Sequence, residues 1–260
     1  MSEENHLKIV QLNICRGKHP QAMEFIKANR DKFDAFLLQE VVEHNQIQLA
    51  RDFRNAYFVP MTKVWDGISE TQGRWTTSGV GIYTNLPMTS VAAHYYVGEY
   101  GRLQHLDDTS LERIDATKSR VVAVCDIAIG SIGYRLATTH FTWVPKGEPS
   151  DFQRADVWRM AQILNGLGEF VFCGDFNFPR GGEIYQKLLA LTSLHAAVPA
   201  RFDNTLDPEL HKLNGKVKAM IDHIFVGVVG YEVYDVEQVF GLSDHGAFTA
   251  KVRERVGSMP

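Results

Sequence analysis

Short runs of apolar residues, each bounded by polar or glycine positions, divide this chain into segments with strand character. Such runs are typical of β-strands that are covered on one or both faces. They predict strands at residues 8–12, 33–38, 79–84, 119–127, 134–140, 169–174, 221–226, 233–239 and 247–252. Apolar residues at helical spacing predict helices at residues 20–32, 43–53, 150–167 and 183–191.

Two of these helices carry start signals. Pro20 suits the first turn of a helix, and Ser150 with Gln153 forms a capping box. Gly168 is expected to end the helix that Ser150 begins. Strands outnumber helices, and some strands are joined by short connections whereas others are joined by helices. This mixture favours two packed sheets flanked by helices over a purely parallel fold.

The chain shows no internal repeat, low-complexity tract or linker, so one domain over residues 1–260 is expected, with residues 98–119 as a surface excursion. At 260 residues and 45% hydrophobic content it can bury a large core. No segment approaches the roughly 20 apolar residues that span a bilayer. The N-terminus is acidic and polar, unlike a secretory signal. We therefore expect a cytoplasmic protein, and a monomer.

The cysteines and the net charge argue against two classes of function, a cysteine zinc site and tight binding of long duplexes. The three cysteines, Cys15, Cys125 and Cys173, lie in or beside apolar runs without zinc-site spacing, which predicts structural, reduced thiols. The net charge of −4 argues against a tight binder of long duplexes, which usually carries a basic face. The net charge understates the affinity for an anionic substrate if several acidic residues surround a bound cation, because the cation offsets their negative charge.

Polar side chains stand at the ends of the apolar strands. They occur in Leu-Asn13, Leu-Gln-Glu40, Thr-His140, Gly-Asp175-Phe-Asn177, Ile-Asp222-His-Ile and Ser243-Asp244-His245. Polar groups at strand ends can converge on one rim of a sheet. A rim rich in Asp, Glu and Asn offers hard oxygen ligands, which suit Mg²⁺, Mn²⁺ or Ca²⁺ better than zinc. His223 follows Asp222 on a strand and should point to the opposite face, as a structural residue.

This set of motifs resembles the signature of the endonuclease/exonuclease/phosphatase superfamily, which includes deoxyribonuclease I, inositol polyphosphate 5-phosphatases, neutral sphingomyelinases, deadenylases and tyrosyl-DNA phosphodiesterases. The blocks follow the family's order and span residues 13–245. Gly-Asp-x-Asn followed later by Ser-Asp-His is the most specific part. The resemblance implies an α+β fold, a four-layer α/β-sandwich with two central, mostly antiparallel β-sheets flanked by helices.

The resemblance also implies metal ligands. Asn13, Glu40 and Asp244 would hold the principal divalent cation, Mg²⁺ with Mn²⁺ as a substitute. Asp175 and Asn177 would lie across from it, orienting the attacking water and phosphate oxygens or helping to seat a second ion.

The remaining implied roles concern proton transfer and phosphate contact. His245 would contact the phosphate or act as general base, with Asp222 on its other ring nitrogen. His140 would touch the scissile phosphate, where exonuclease III-type repair nucleases tend to have a tyrosine. A phosphodiester repels hydroxide, so its hydrolysis needs charge neutralisation, an aligned water and help for the leaving oxygen. No covalent nucleophile is needed, and Ser243 is interpreted as a turn residue.

The expected function is therefore a Mg²⁺-dependent phosphodiesterase that acts on nucleic acid or nucleic-acid ends by metal-activated water attack. Arg120, Trp143 and Arg154 are candidate substrate-binding residues. Trp75, Trp143 and Phe178, taken as aromatic rim residues, would suit a short single strand or an end. A phospholipid or inositol-phosphate esterase stays open, although no apolar hairpin suits a membrane. A non-catalytic binding protein is disfavoured, because every expected metal or base residue is present.

Overall fold

Two six-stranded β-sheets form the centre of the protein, whose computed structural model describes residues 6–67, 73–227 and 230–255. The strands in chain order are β1 (Leu7–Asn13), β2 (Ala35–Val42), β3 (Asn55–Gly67), β4 (Gly73–Thr84), β5 (Met88–Val97), β6 (Arg120–Ile129), β7 (Ile132–His140), β8 (Val171–Asp175), β9 (Leu194–Ala196), β10 (Asp222–Gly227), β11 (Tyr231–Val239) and β12 (Ala247–Glu254). The first sheet has the order β11-β12-β1-β2-β4-β3, and the second has the order β5-β6-β7-β8-β10-β9.

Each sheet contains one parallel pair of strands. These are β1 with β2 in the first sheet and β7 with β8 in the second, whereas the other pairs are antiparallel. The two parallel pairs pack across one another between the sheets. Because parallel strands end at the same edge of a sheet, each pair presents two carboxyl ends to one rim.

Helices cover the outer faces of the sheets. They are α1 (Pro20–Asn29), α2 (Glu43–Asp52), α3 (Leu111–Thr117), α4 (Asp151–Leu164) and α5 (Glu183–Leu191). Ile26 of α1 and Leu49 of α2 pack on the first sheet, and Met160 of α4 and Leu188 of α5 pack on the second. This arrangement gives the four layers expected from the sequence. In the described part of the chain, no helix is long and apolar enough to cross a membrane.

The central strands are apolar on both faces, which explains their unbroken apolar runs. Ile9 of β1 faces the core between the sheets, and its neighbour Val10 faces the helices. Cys173 and Phe172 of β8 divide in the same way. Cys173 and Cys125 are core residues, as predicted, whereas the free Cys15 lies half-buried beside a polar rim.

Some predicted boundaries are wrong. The first helix ends at Asn29 rather than residue 32, because Asn29 Nδ2 donates to Phe25 O (2.8 Å) and the chain turns there. The helix after Ser150 ends at Leu164 rather than at Gly168, in a series of short turns. The excursion at residues 98–119 contains α3 and also pairs with β3.

Candidate active site

The polar residues at the strand ends meet at one rim of the two sheets. Asn13 ends β1, His140 ends β7 and Asp175 ends β8. Asp222 begins β10 directly opposite Asp175, since these two strands are antiparallel. His245 lies just before β12, which runs antiparallel to β1 and therefore begins near the end of β1.

Asp175 lies at the centre of this group. Its Oδ2 is 3.0 Å from Asn13 Nδ2, 3.5 Å from His140 Nε2 and 3.8 Å from His245 Nε2. Its Oδ1 accepts the backbone N–H of Asn177 at 2.9 Å. A single buried carboxylate thus links residues from both sheets.

Burial, together with the neighbouring carboxylate of Asp222, raises the pKa of Asp175 to about 7 against the opposing effects of His245 and Asn13. Taking a carboxylate out of water disfavours its ionised form. A cation bound at the rim would restore that form. The group is therefore suited to a site that carries additional positive charge.

Gly174 lets β8 approach β7 closely just before Asp175. A Cβ at this position would collide with the carbonyl oxygen of Thr139 in β7. Any larger residue would separate the two parallel strands whose ends carry His140 and Asp175. The Gly-Asp sequence is therefore a requirement of the site's geometry.

Asp222 and His245 form a buried hydrogen-bonded pair. His245 Nδ1 lies 2.8 Å from Asp222 Oδ2, and Asp222 Oδ1 accepts from Gln11 Nε2 at 3.0 Å. A carboxylate oxygen only accepts, so Nδ1 carries the proton and Nε2 is the nitrogen that can exchange one. Burial alone would lower the pKa of His245, but the carboxylates of Asp222 and Asp175 outweigh it and raise that pKa well above its usual value.

Two buried glutamines beneath the site were missed by sequence reasoning. Gln11 Nε2 donates to Gln39 Oε1 at 3.0 Å as well as to Asp222, and Gln39 Nε2 donates to Thr138 Oγ1 in the other sheet at 2.9 Å. The available signal was a polar residue within an otherwise apolar strand. These amides fix the position of Asp222 relative to both sheets.

Glu40 is directed to the rim by an irregularity in β2. The pairing of β2 with β4 shifts between Leu38 and Val41, and Glu40 has a φ of +52°. Bulges of this kind redirect a side chain. Glu40 Oε1 accepts from Asn13 Nδ2 at 3.3 Å, and Arg16 Nε lies 3.4 Å from Oε2. Burial alone would raise the pKa of Glu40, but the electrostatic effects of His140 and Arg16 and the hydrogen bond from Asn13 lower it.

Asp244 lies on the Cys15 side of the rim. Ser243 Oγ donates to Asp244 Oδ1 at 3.1 Å, so the hydroxyl of this predicted turn residue is engaged with its neighbour. Burial, and then the carboxylates of Asp244 and Glu40, raise the pKa of the Cys15 thiol. Both predicted carboxylate ligands therefore lie within electrostatic reach of the same thiol.

His140 and Asn177 complete the rim. Burial lowers the pKa of His140 to about 4, so its imidazole is neutral at physiological pH. Asn177 adopts a left-handed φ of +52°, which asparagine tolerates better than most residues, and its Nδ2 donates to Phe141 O at 3.0 Å. The orientation of the Asn177 side chain is thus fixed by the fold.

Comparison with known families supplies the assignment. The sequence profile described as "Endonuclease/Exonuclease/phosphatase family" matches residues 10–245. The chain belongs to the endonuclease/exonuclease/phosphatase family. Members of this family are hydrolases that act on phosphoester bonds, and this protein is a phosphoesterase of that family. Comparison with curated proteins found no matching sequence.

Solved structures of the family share the fold at low sequence identity. The human Nocturnin catalytic domain with bound sulfate is 16% identical, with a TM-score of 0.66 over 96% of this chain and 94% of that one. D. rerio TDP2 complexed with single-strand DNA product is 12% identical, with a TM-score of 0.67 over 95% and 99%. A mannosyl-6-phosphatase from Bacteroides thetaiotaomicron is 15% identical, with a TM-score of 0.59 over 96% and 99%.

A pocket of about 350 Å³, including its open mouth, adjoins the strand-end residues described above. Glu40, His140, Arg16 and Arg120 line it. Arg120 is buried, and its Nη1 donates to Ser119 O at 2.9 Å. Its Nε has no partner among the described residues. A guanidinium in the lining of a pocket is suited to an anionic ligand.

The other predicted substrate-binding residues lie outside this pocket lining. Trp143 is exposed, with Lys212 Nζ 5.6 Å from the centre of its ring. Arg154 binds Glu183 (Nη2 to Oε2, 2.9 Å) and Asp151 (Nη1 to Oδ1, 2.8 Å), so its guanidinium is engaged in ion pairs.

Two further aromatic assignments have different outcomes. Phe178 is 2% exposed and packs on Phe141 and Phe176, so its interpretation as a rim residue was wrong. Its position follows from the Asp-Phe-Asn-Phe turn, which directs alternate side chains inward. His223 is fully buried among the same rings, on the face opposite Asp222, in agreement with the structural role predicted for it.

The family generally uses a divalent metal, and this rim offers donors that fit one. Asp175, Asp222 and His245 bring potential ligand atoms within 4.8 Å of one another and could hold an ion. In that trio, however, both oxygens of Asp222 and the Nδ1 of His245 are engaged in hydrogen bonds.

Glu40 and Asp175 form an alternative arrangement. Each carboxylate contacts the Nδ2 of Asn13, so two acidic oxygens converge on one weakly positive amide. A divalent cation would neutralise these charges better than an N–H group. The donors that converge here are carboxylate oxygens, which suit Mg²⁺ or Mn²⁺. The amide of Asn13 presents Nδ2 to them, since its Oδ1 accepts from Cys15 N at 2.9 Å.

Proposed function

We propose that this protein is a Mg²⁺-dependent phosphodiesterase that acts on nucleic acid or nucleic-acid ends, with Mn²⁺ as a substitute metal. The observation that carries the proposal is the buried Asp222–His245 pair. The Nε2 atom of His245 points toward Asp175, at the rim that also holds Glu40. An oriented imidazole beside hard oxygen ligands is the equipment needed to hydrolyse an anionic ester.

Asn13, Glu40 and Asp244 are the proposed principal ligands, and Asp175 with Asn177 would lie across from them. A bound divalent cation would neutralise phosphate charge and lower the pKa of a coordinated water. Arg120, which lines the pocket, would bind a phosphate oxygen through its guanidinium. His140, neutral because burial lowers its pKa to about 4, would donate a hydrogen bond to the phosphate without adding a full charge.

His245 is the proposed site of proton exchange. In its neutral form Nε2 accepts the proton of the attacking water, and Asp222 stabilises the imidazolium that results. In its cationic form Nε2 instead donates to a phosphate oxygen. The raised pKa of His245 favours the cationic form in the metal-free protein, and positive charge bound at the rim would shift the balance toward the neutral form.

Nucleic acid is the favoured substrate class. The net charge of −4 suits short strands or ends better than long duplexes. D. rerio TDP2, which shares the fold, is known in complex with a single-strand DNA product. Phospholipids, inositol phosphates and sugar phosphates are the competing substrates, and the experiment below separates them.

The test is hydrolysis of bis(p-nitrophenyl) phosphate by purified protein with Mg²⁺ or Mn²⁺. We expect activity that EDTA abolishes, and a loss of orders of magnitude in His245→Ala and in Asp175→Ala. Trp158→Ala is the matched control, since Trp158 is 54% exposed on α4. Full activity in both site variants, or in EDTA, would refute the proposal. A panel of single-stranded DNA, duplex DNA, 5′-adducted ends, RNA, sphingomyelin, inositol phosphates and a sugar phosphate then identifies the substrate class.

A further inference from the structure

Arg16 comes from a strained turn that directly follows β1 and the proposed metal ligand Asn13. Cys15 and Arg16 adopt left-handed φ values of +47° and +59°, and Gly17 continues at +71°. Residues other than glycine rarely adopt this conformation, and those that do are concentrated at functional sites. The turn therefore directs attention to Arg16, a side chain to which neither metal binding nor proton transfer has been assigned.

The turn is held in place by its own hydrogen bonds and by the neighbouring helix. Gly17 N donates to Ile14 O at 2.8 Å, and Ile14 N donates to Gln39 O at 3.1 Å, which ties the turn to β2. A Cβ on Gly17 would collide with the side chain of Asn45 in α2. Because no larger residue fits there, the turn packs closely on α2, and the backbone of Arg16 is fixed before a ligand binds.

The guanidinium of Arg16 is held in the lining of the pocket. Its Nε lies 3.4 Å from Glu40 Oε2, and its Nη1 donates to Trp65 O at 3.3 Å. Among the described residues, these are its polar contacts, so Nη2 donates to none of them. The side chain is 26% exposed. Since a guanidinium carries several N–H donors, Arg16 can bind a further acceptor without losing either contact.

The charges in the pocket lining favour an anion. Among the described lining residues, Arg16 and Arg120 are the cations, Glu40 is the anion, and His140 is neutral because burial lowers its pKa to about 4. A divalent cation at the rim would increase the positive excess. Planar guanidinium groups match the geometry of phosphate oxygens. The lining is therefore suited to the phosphate group of a substrate.

Glu40 connects this guanidinium to the rim. Its Oε1 accepts from Asn13 Nδ2 at 3.3 Å, whereas its Oε2 is the oxygen that Arg16 approaches. A cation bound to Glu40 would therefore share this carboxylate with Arg16. The positive charge of Arg16 has opposite effects on the two ligands of the site, because it attracts a phosphate and repels a metal cation. A residue that only supported Glu40 would favour both ligands.

We propose that Arg16 is a further substrate-binding residue, whose guanidinium, oriented by Glu40 and by the carbonyl of Trp65, binds a non-bridging oxygen of the substrate's phosphate. This inference rests on the proposed function and adds a phosphate contact beside the metal ligands. The contact is made to the phosphate rather than to the rest of the substrate. Lysine would be a poor substitute, because an ammonium group lacks the planar fork of donors.

The test measures the two ligands separately in Arg16→Met, which removes the charge and the donors but retains a long side chain. Isothermal titration calorimetry in Mg²⁺ should show a Kd for inorganic phosphate raised by about 10- to 100-fold, the range for loss of a charge-assisted hydrogen bond. KM for bis(p-nitrophenyl) phosphate should rise in parallel. Mn²⁺ binding, measured by electron paramagnetic resonance without phosphate, should tighten by about 2- to 5-fold, because Glu40 loses a positive neighbour.

Arg253→Met is the matched control. Arg253 Nη2 lies 2.7 Å from Glu232 Oε2, so this variant also breaks an arginine–glutamate ion pair, but near the end of β12 that is remote from the rim. It should bind phosphate and Mn²⁺ as wild type does. Arg16→Lys keeps the charge without the fork, and its Kd for phosphate should lie between those of wild type and Arg16→Met. That variant decides the matter if Arg16→Met does not fold.

Two results would overturn the role of Arg16. One is a Kd for phosphate in Arg16→Met, or in Arg16→Lys if only that variant folds, equal to that of wild type. The other is weaker Mn²⁺ binding in Arg16→Met, which would show that the arginine supports Glu40 instead of binding substrate. Neither measurement requires turnover. Failure of wild type to hydrolyse any phosphodiester would instead refute the proposed function.

Discussion

Replacing Asp222 with asparagine removes a charge from the site with almost no change in shape. The carboxylate accepts from Gln11 on one oxygen and contacts His245 Nδ1 at 2.8 Å on the other. In Asp222→Asn the oxygen of the new amide can still accept from Gln11. Its NH₂ group then faces Nδ1, which must become the acceptor, so the proton moves to Nε2.

The consequence is a histidine in the wrong tautomer for taking a proton from water. The stabilising charge for the imidazolium is also lost. A comparable substitution in an Asp–His pair of this type lowers kcat by about 10⁴-fold, and we expect a loss of about 10³- to 10⁴-fold. At 1.36 kcal/mol per tenfold, this corresponds to about 4 to 5.5 kcal/mol of transition-state stabilisation. The free energy of unfolding should change by only about 1 kcal/mol, because the hydrogen bonds are largely retained.

The assay is kcat for bis(p-nitrophenyl) phosphate at saturating Mg²⁺ between pH 6 and 9, with ¹⁵N NMR of the His245 ring and urea denaturation in parallel. With Mg²⁺ bound and at the alkaline end of this range, where His245 is neutral, the NMR signals should report protonation at Nδ1 in wild type and at Nε2 in Asp222→Asn. A folded Asp222→Asn protein with kcat within about tenfold of wild type would show that the pair does not take part in proton transfer.

Three other perturbations test the metal, the packing and the pH dependence. Glu40→Gln should raise the Mg²⁺ concentration for half-maximal activity by about tenfold or more, whereas Glu24→Gln, exposed on α1, should not; equal curves would exclude Glu40 as a ligand. Lys118 Nζ lies 2.6 Å from the buried carboxylate of Asp156, so Lys118→Met leaves that carboxylate with one cation fewer. Urea titrations should show a loss of about 3 kcal/mol in the free energy of unfolding, and a loss near zero would contradict this. Burial lowers the pKa of His223 to about 3, so below about pH 6.5 the unfolded chain binds a proton that the folded protein does not. The free energy of unfolding should therefore fall as the pH drops from about 6.5 to 3, by up to about 1.4 kcal/mol per pH unit. Chemical denaturation of His223→Leu at several pH values should show a flatter slope.

The central strands could be predicted because burial on both faces leaves unbroken apolar runs. The edge strands β3 and β5 could not be predicted in the same way. In β3 the side-chain alternation is interrupted by Pro60 and by a register shift between Pro60 and Thr62. In β5 two register shifts have the same effect. Edge strands with bulges lose the period of two that a sequence pattern detects.

The strand-end residues of the site could be predicted because the carboxyl ends of parallel strands share an edge and the motifs have family order. Contacts between distant segments could not. The buried link from Gln11 to Asp222 joins the two sheets, and the ion pair of Arg154 with Glu183 joins two helices. The stack of His105 on Trp75 depends on a loop pairing with an edge strand. Each is decided by tertiary packing rather than by local pattern.

Crystals soaked in Mn²⁺ show where the metal binds. Anomalous scattering should show a peak at coordination distance from Glu40, on the rim shared with Asn13 and Asp175, and the peak should be weakened in Glu40→Gln. A peak confined to unrelated surface carboxylates, or strong Mn²⁺ density unchanged by Glu40→Gln, would contradict the account.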